Sequence, residues 1–100
     1  MDNPTVLRLE GDLDLLSAEE LAKVLLPMCE APGADVTVHL RDVGFIDSTG
    51  IALLLRAHRR AVTAEGTLRI VEPTGQVERV LAATGADEIL QIVPASPTEA

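Results

Sequence analysis

The chain has 100 residues, 47% of them hydrophobic, with Phe45 as the only aromatic. That length suits one domain and excludes two independent cores, and the hydrophobic content excludes a disordered segment. Sixteen acidic against eight basic residues give a net charge of −8, which disfavours nucleic acid and anionic membranes as partners, because both recruit Lys and Arg.

The charge is uneven. Residues 1–50 hold ten acids and three bases, or −7; residues 51–100 hold six and five, or −1. An acidic half-surface suits a protein partner with a basic face. Cys29 is the only cysteine, which excludes an internal disulfide and fits a reduced compartment. Met1-Asp2-Asn3-Pro4 has no signal-peptide character, and no apolar run approaches the roughly 20 residues of a membrane span. A soluble, cytoplasmic protein is expected.

Thr5–Glu10 alternates, with Leu7 and Leu9 on one side and Arg8 and Glu10 on the other, which predicts a half-buried strand ended by Gly11-Asp12. Ser17 reads as a helix N-cap with Glu19 and Glu20 in the first turn. Leu21, Val24, Leu25 and Met28 follow at helical spacing, and Pro27 is expected to kink or end that helix. Ala31-Pro32-Gly33 breaks the chain. A second strand is expected over Val36–Leu40, then a connection over Arg41–Asp47. A long helix begins near Ser48 with Ile51, Leu54, Leu55, His58 and Val62 on its apolar stripe, and Gly66 ends it as a C-terminal glycine. Thr67–Val71 reads as a third strand stopped by Pro73. Thr74 is placed to cap a shorter helix that ends near Gly85. Ile89–Val93 completes the set as a short last strand, and the residues from Ser96 on read as a frayed tail.

The order β-α-β-α-β-α-β predicts an α/β fold with a mostly parallel or mixed four-stranded sheet. Because the strands alternate instead of being apolar throughout, helices are expected mainly on one face.

Much chemistry is missing. The glycines are scattered, and neither GxxxxGK[ST] nor GxGxxG occurs. Cys29, His39 and His58 lack zinc-site spacing; the histidines read as core-margin or solvent-edge residues and the cysteine as a small buried apolar one. Ser48 and His58 lie ten residues apart on one helix, roughly 15 Å along its axis, too far for a nucleophile–base pair. A phosphoaspartate receiver would need a lysine late in the chain, and the only lysine is Lys23 in the first helix.

One segment is loaded with polar function: Phe45-Ile46-Asp47-Ser48-Thr49-Gly50-Ile51. The structural reading makes Asp47 or Ser48 the helix cap and Ile51 the first core residue. The functional reading uses the same place. Hydroxyls at a helix N-terminus lie beside free N–H groups and the positive end of the dipole, so a phosphate is tolerated there and leaves the fold intact.

This segment resembles the phosphorylation signature of anti-sigma-factor antagonists in the STAS family. Three other segments match the family in order. Leu9-Glu10-Gly11-Asp12-Leu13-Asp14 is similar to its G-[ED]-[LI]-D strand end. Asp35–Val43 is similar to the central strand and its L-x-D-V approach, and Ala83-Thr84-Gly85 with Asp87, Glu88, Ile89 and Leu90 to the late TG…I element. The matches span residues 5 to 93, so residues 1–100 are expected to form a single STAS domain. The resemblance implies a regulator and not an enzyme. Its unphosphorylated form binds an anti-sigma factor that is also a serine kinase, freeing the sigma factor. Phosphorylation releases it, and a phosphatase resets it. Ser48 is then the phosphoacceptor, with Thr49 as a second candidate acceptor; Asp14, Asp47, Ser48, Thr49 and Gly50 make the partner surface. No cofactor is implied, since ATP belongs to the partner. The family also supplies modules of stress-sensing scaffolds and of lipid-transport ATPase complexes, the alternative reading. A small enzyme or nucleotide-binding protein is a third. Family members commonly carry a further strand ahead of the one that starts here at Thr5, and an absent or stub-like edge strand is expected.

Overall fold

The computed structural model describes residues 4–94. Its elements are β1 (Thr5–Leu13), α1 (Leu15–Glu30), β2 (Asp35–Ile46), α2 (Ser48–Thr63), β3 (Thr67–Val71), α3 (Gly75–Ala83), a 3₁₀ turn (Ala86–Glu88) and β4 (Gln91–Val93). The frayed tail expected from Ser96, and most of the stub ahead of Thr5, lie outside the described residues.

All three strand pairings are parallel, in the order β1-β2-β3-β4. Every crossover therefore steps the same way. Crossovers of one hand stepping in one direction put the helices on one face of the sheet. The strands agree: Val36, Val38, Leu40, Leu68 and Ile70 are at most 1% exposed, while Thr37, His39, Arg69 and Val71, at the alternate positions, are half-exposed. The helices add Leu25, Leu54, Val77 and Leu81 to the same aliphatic core.

Several elements depart from the sequence reading. β1 runs through Gly11-Asp12 to Leu13, and β2 runs to Ile46, absorbing the expected connection. From Arg8↔His39 to Glu10↔Asp42, β1 advances two residues and β2 three; from Gly11↔Val43 to Asp12↔Phe45, β1 advances one and β2 two. These extra residues in β2 are bulges. They break the period of two, leaving Val43 and Ile46 buried three apart.

Helix α1 is capped by Asp14, not Ser17, and its first turn carries no acid. Pro27 lies inside it without ending it. Proline removes the bond to the carbonyl four residues back, here that of Lys23, and both residues are exposed, so water can serve that carbonyl. In α2 the buried residues are Gly50, Ile51, Leu53, Leu54, Ala57 and Ala61. Leu55 and His58 are half-buried and Val62 is 59% exposed, so small alanines take the contact positions given to larger residues. Gly66 does not supply the left-handed turn after α2; Glu65 does, at φ 62°. Gly66 is needed for space, because a Cβ there would sit 2.4 Å from the Ala34 carbonyl oxygen. Thr74 is the N-cap residue of α3 but makes no side-chain cap bond. The last strand shortens to Gln91–Val93 behind the 3₁₀ turn.

Candidate functional site

Strands β1 and β2 end in step. Leu13 pairs with Ile46, and the Asp47 N–H donates to the Leu13 carbonyl at 3.4 Å. Each strand is followed at once by an extended aspartate that caps the next helix: Asp14 at φ −110°, Asp47 at φ −119°. The two helix N-termini thus start beside each other at the carboxyl end of the sheet.

The caps are built differently. Asp14 forms a reciprocal box with Ser17: its carboxylate accepts from the Ser17 N–H at 3.2 Å, and Ser17 Oγ accepts from the Asp14 N–H at 2.9 Å. Asp47 Oδ1 accepts from the Thr49 N–H at 3.0 Å, the Gly50 N–H at 3.3 Å and the Thr49 hydroxyl at 2.6 Å. The Thr49 hydroxyl is the main reason that the Asp47 carboxyl titrates below its ordinary 3.8, with the two backbone N–H groups adding to it.

Directly after the Asp47 cap comes Ser48, the first residue of α2. It is exposed, and among the described residues its hydroxyl has no hydrogen-bond partner. The sequence reading offered the helix N–H groups to a phosphate; those of Thr49 and Gly50 are already held by Asp47. Gly50 is buried, and a Cβ on it would lie 2.7 Å from Ile46 Cγ1 and 2.8 Å from the Leu13 carbonyl oxygen. This glycine lets α2 start hard against the ends of β1 and β2, so its requirement is internal packing.

Sequence reasoning missed Gln76. Its Oε1 accepts from the Ile46 N–H at 3.0 Å and its Nε2 donates to the Ile46 carbonyl at 3.1 Å. β3 stops at Val71, and within β2 the β3 pairing runs only from Asp35 to His39. The amide of Gln76 thus stands in for a neighbouring strand at the residue before Asp47. A glutamine in the first turn of a helix is the only sequence signal, and it is a weak one.

Two surface features mark the end of the sheet from which α1 and α2 start. Apolar side chains are left out: Leu16 is 74% exposed, Leu15 54% and Phe45 40%. A groove between α1 and α2, lined by Leu15, Ala18, Ala22, Thr49, Ala52 and Leu53, runs away from this end. Acids supply the rest, with Asp12 in register with Phe45 and Glu10 with Asp42, besides the two caps. The leucine pair directly after the Asp14 cap was legible in sequence but was not read. Of the five residues expected to form a surface, Asp47, Ser48, Thr49 and Gly50 share one turn and Asp14 lies across from them at the end of β1.

Elsewhere, Cys29 is fully buried, and burial, with the neighbouring Glu30 carboxylate second, pushes its thiol up to about 11. His39 and His58 are half-buried, each with a buried Nδ1 that has no partner. Among the described residues, no group of three or more His, Cys, Asp or Glu is placed to hold a metal, and no helix is long and apolar enough to cross a membrane.

A sequential parallel sheet whose first two strands launch aspartate-capped helices from one end, with a serine exposed at the start of the second of them, defines a small α/β domain of the STAS kind. The chain belongs to the STAS domain family: the family described as "Mlab, STAS domain" matches residues 1–94. It is similar to the anti-sigma-B factor antagonist of Bacillus subtilis, 29% identical over 91 residues that cover 91% of this chain and 83% of that one. It is also similar to the protein of the same name from Staphylococcus aureus, 28% identical over 82% of this chain and 76% of the relative. Among solved structures, the fold matches a candidate anti-sigma factor antagonist of Thermotoga maritima with a TM-score of 0.80 at 24% identity, over 95% of this chain and 82% of that one. It matches the unphosphorylated anti-sigma factor antagonist SpoIIAA with a TM-score of 0.69 at 17% identity, over 93% and 81%.

Proposed function

We propose that this chain is a cytoplasmic, single-domain anti-sigma factor antagonist that binds an anti-sigma factor with serine-kinase activity and is switched off by phosphorylation of Ser48. The observation that carries the reading is the Ser48 hydroxyl, exposed and, among the described residues, unengaged at the start of α2, at the sheet end where Leu15, Leu16 and Phe45 are also left exposed. Exposed apolar side chains at one end of a small domain fit a protein partner, and the acids among them fit a partner with a basic face. Curated relatives named as anti-sigma-B factor antagonists support the role.

The switch works through surface charge. A phosphate on Ser48 adds about −1.5 to −2 charges beside Asp47, whose carboxylate already holds the helix N–H groups of Thr49 and Gly50. The phosphate is left facing outward, where it repels or misfits the partner while the core stays as it is. The partner supplies ATP and a phosphatase removes the phosphate; the chain itself is no enzyme.

The test is intact-mass and peptide-mapping analysis after incubation with ATP and the cognate anti-sigma kinase. One phosphate on Ser48, absent in Ser48→Ala, with Ser48→Asp folded but binding poorly, is the expected result. Stable binding without phosphate transfer would favour a module of a stress-sensing scaffold or a lipid-transport ATPase complex. Tight ATP binding by the isolated chain would sink both readings.

A further inference from the structure

Strand β1 is an edge strand: among the described residues it pairs only with β2. Its side chains carry the mark of an open margin. Leu7 and Leu9 point toward the core yet are only partly buried, while Val36 and Val38, the residues of β2 on the same side, are at most 1% exposed. Among the described residues, the side of β1 away from β2 carries N–H and C=O groups without a strand partner, which can template another strand.

We propose that β1 pairs antiparallel with β1 of a second copy of this chain, with Leu9 on the two-fold axis. Charge order within the strand singles out that occupant. In an antiparallel pair related by a two-fold axis normal to the sheet, facing residues lie on the same side of the sheet, so their numbers have the same parity. The Leu9-centred register sets Arg8 opposite Glu10 of the second copy and Glu10 opposite its Arg8. Two opposite-charge pairs form, and Leu7 faces Gly11, where no side chain obstructs it. The neighbouring registers fail. Centring on Arg8 sets arginine against arginine, and centring on Glu10 sets glutamate against glutamate; like charges facing each other destabilise a strand pair. Centring on Leu7 leaves both charges without opposite partners. The segment Arg8-Leu9-Glu10 is thus complementary to itself in one register, which is how a charged edge admits one neighbour and rejects the rest.

Both copies keep their helices on the same face, giving one eight-stranded sheet. The ladder is short, because Gly11 turns the strand at φ 85°, so the dimer is concentration-dependent. The proposal does not depend on the assigned role of Ser48.

Sedimentation equilibrium of the 100-residue chain tests it, together with Arg8→Glu, Glu10→Arg and the double exchange. Arg8 and Glu10 are both exposed, and circular dichroism checks that each variant folds. The expected result is a dimer in the wild type, a dissociation constant raised about tenfold or more in either single variant, and recovery in the double exchange. A wild type that stays monomeric up to about 1 mM overturns the proposal. A dimer indifferent to the single reversals, or one the double exchange does not restore, does so too.

Discussion

The Thr49 hydroxyl donates to Asp47 Oδ1 at 2.6 Å, and this bond separates the two adjacent hydroxyls at the start of α2. Thr49 is committed to the cap, whereas Ser48 points to solvent with its hydroxyl free among the described residues. A kinase acting on this turn should therefore modify Ser48 in preference to Thr49. Thr49→Val should still accept one phosphate, and Ser48→Ala none, read by intact mass.

The same bond has a pH signature. A carboxyl held below its ordinary 3.8 contributes stability that is present above that value and lost as pH falls through the lower native value. The stability difference between the wild type and Asp47→Ala should be full at neutral pH and shrink below pH 3.8. Removing the largest cause, in Thr49→Val, should bring Asp47 back toward its ordinary value in a carboxyl NMR titration. An Asp47 titration unmoved by Thr49→Val would contradict the assignment.

Much of this arrangement was legible beforehand, and the failures share a cause. Strand and helix order followed from alternation at Leu7 to Glu10, Val36 to Leu40 and Thr67 to Val71, and from the breaks at Pro32-Gly33 and Pro73. The turn from Asp47 to Gly50 stood out because capping residues met an apolar helix there. What stayed hidden depended on contacts between distant segments. The bulges that carry β2 on to Ile46 exist only against β1. The clasp of Gln76 on Ile46 joins residues thirty apart. Which helix face is core was set by the tight approach that favours Ala57 and Ala61 over Val62. The α1 cap was misplaced by three residues because Asp14 and Ser17 form one reciprocal box, and either member alone reads as a cap.

Gly50 should tolerate no side chain. A Cβ at that position would stand 2.8 Å from the Leu13 carbonyl and 2.7 Å from the buried Ile46 side chain, neither of which can swing away freely. Gly50→Ala should cost about 1–3 kcal/mol, the range for overpacking a filled core, and Gly50→Val more. Urea unfolding measures it. Wild-type stability in Gly50→Ala would mean that α2 can lift off the sheet end, and would remove the packing reason for glycine here.

Asp14 should prove structural whatever its part in partner contact. Its carboxylate and the Ser17 hydroxyl cap each other's backbone N–H groups. Asp14→Ala should destabilise the fold by about 1 kcal/mol, and Asp14→Asn by less, because an amide oxygen still accepts from the Ser17 N–H. A loss of partner binding in Asp14→Ala that Asp14→Asn restores would then reflect capping. A loss shared equally by both would point to the charge itself.

Gln76 offers the sharpest test of how the Ser48 turn is held. Ile46 is 1% exposed, so its backbone groups have little access to water once the glutamine amide is gone. An unpaired buried N–H or C=O costs about 1–3 kcal/mol. Gln76→Leu keeps the side chain's bulk but removes both partners, and it should destabilise the domain by an amount in that range. Gln76→Glu keeps the acceptor for the Ile46 N–H but loses the donor to its carbonyl, so it should fall between. Hydrogen exchange separates this from a general loosening. The Ile46 amide should lose protection in Gln76→Leu well beyond the drop in global stability, while Val38, inside the β2–β3 pairing, should follow the global drop alone. Ile46 exchanging no faster than the global change allows would mean that the strand end is held by its β1 pairing, and that the α3 amide contributes little to the turn that carries Ser48.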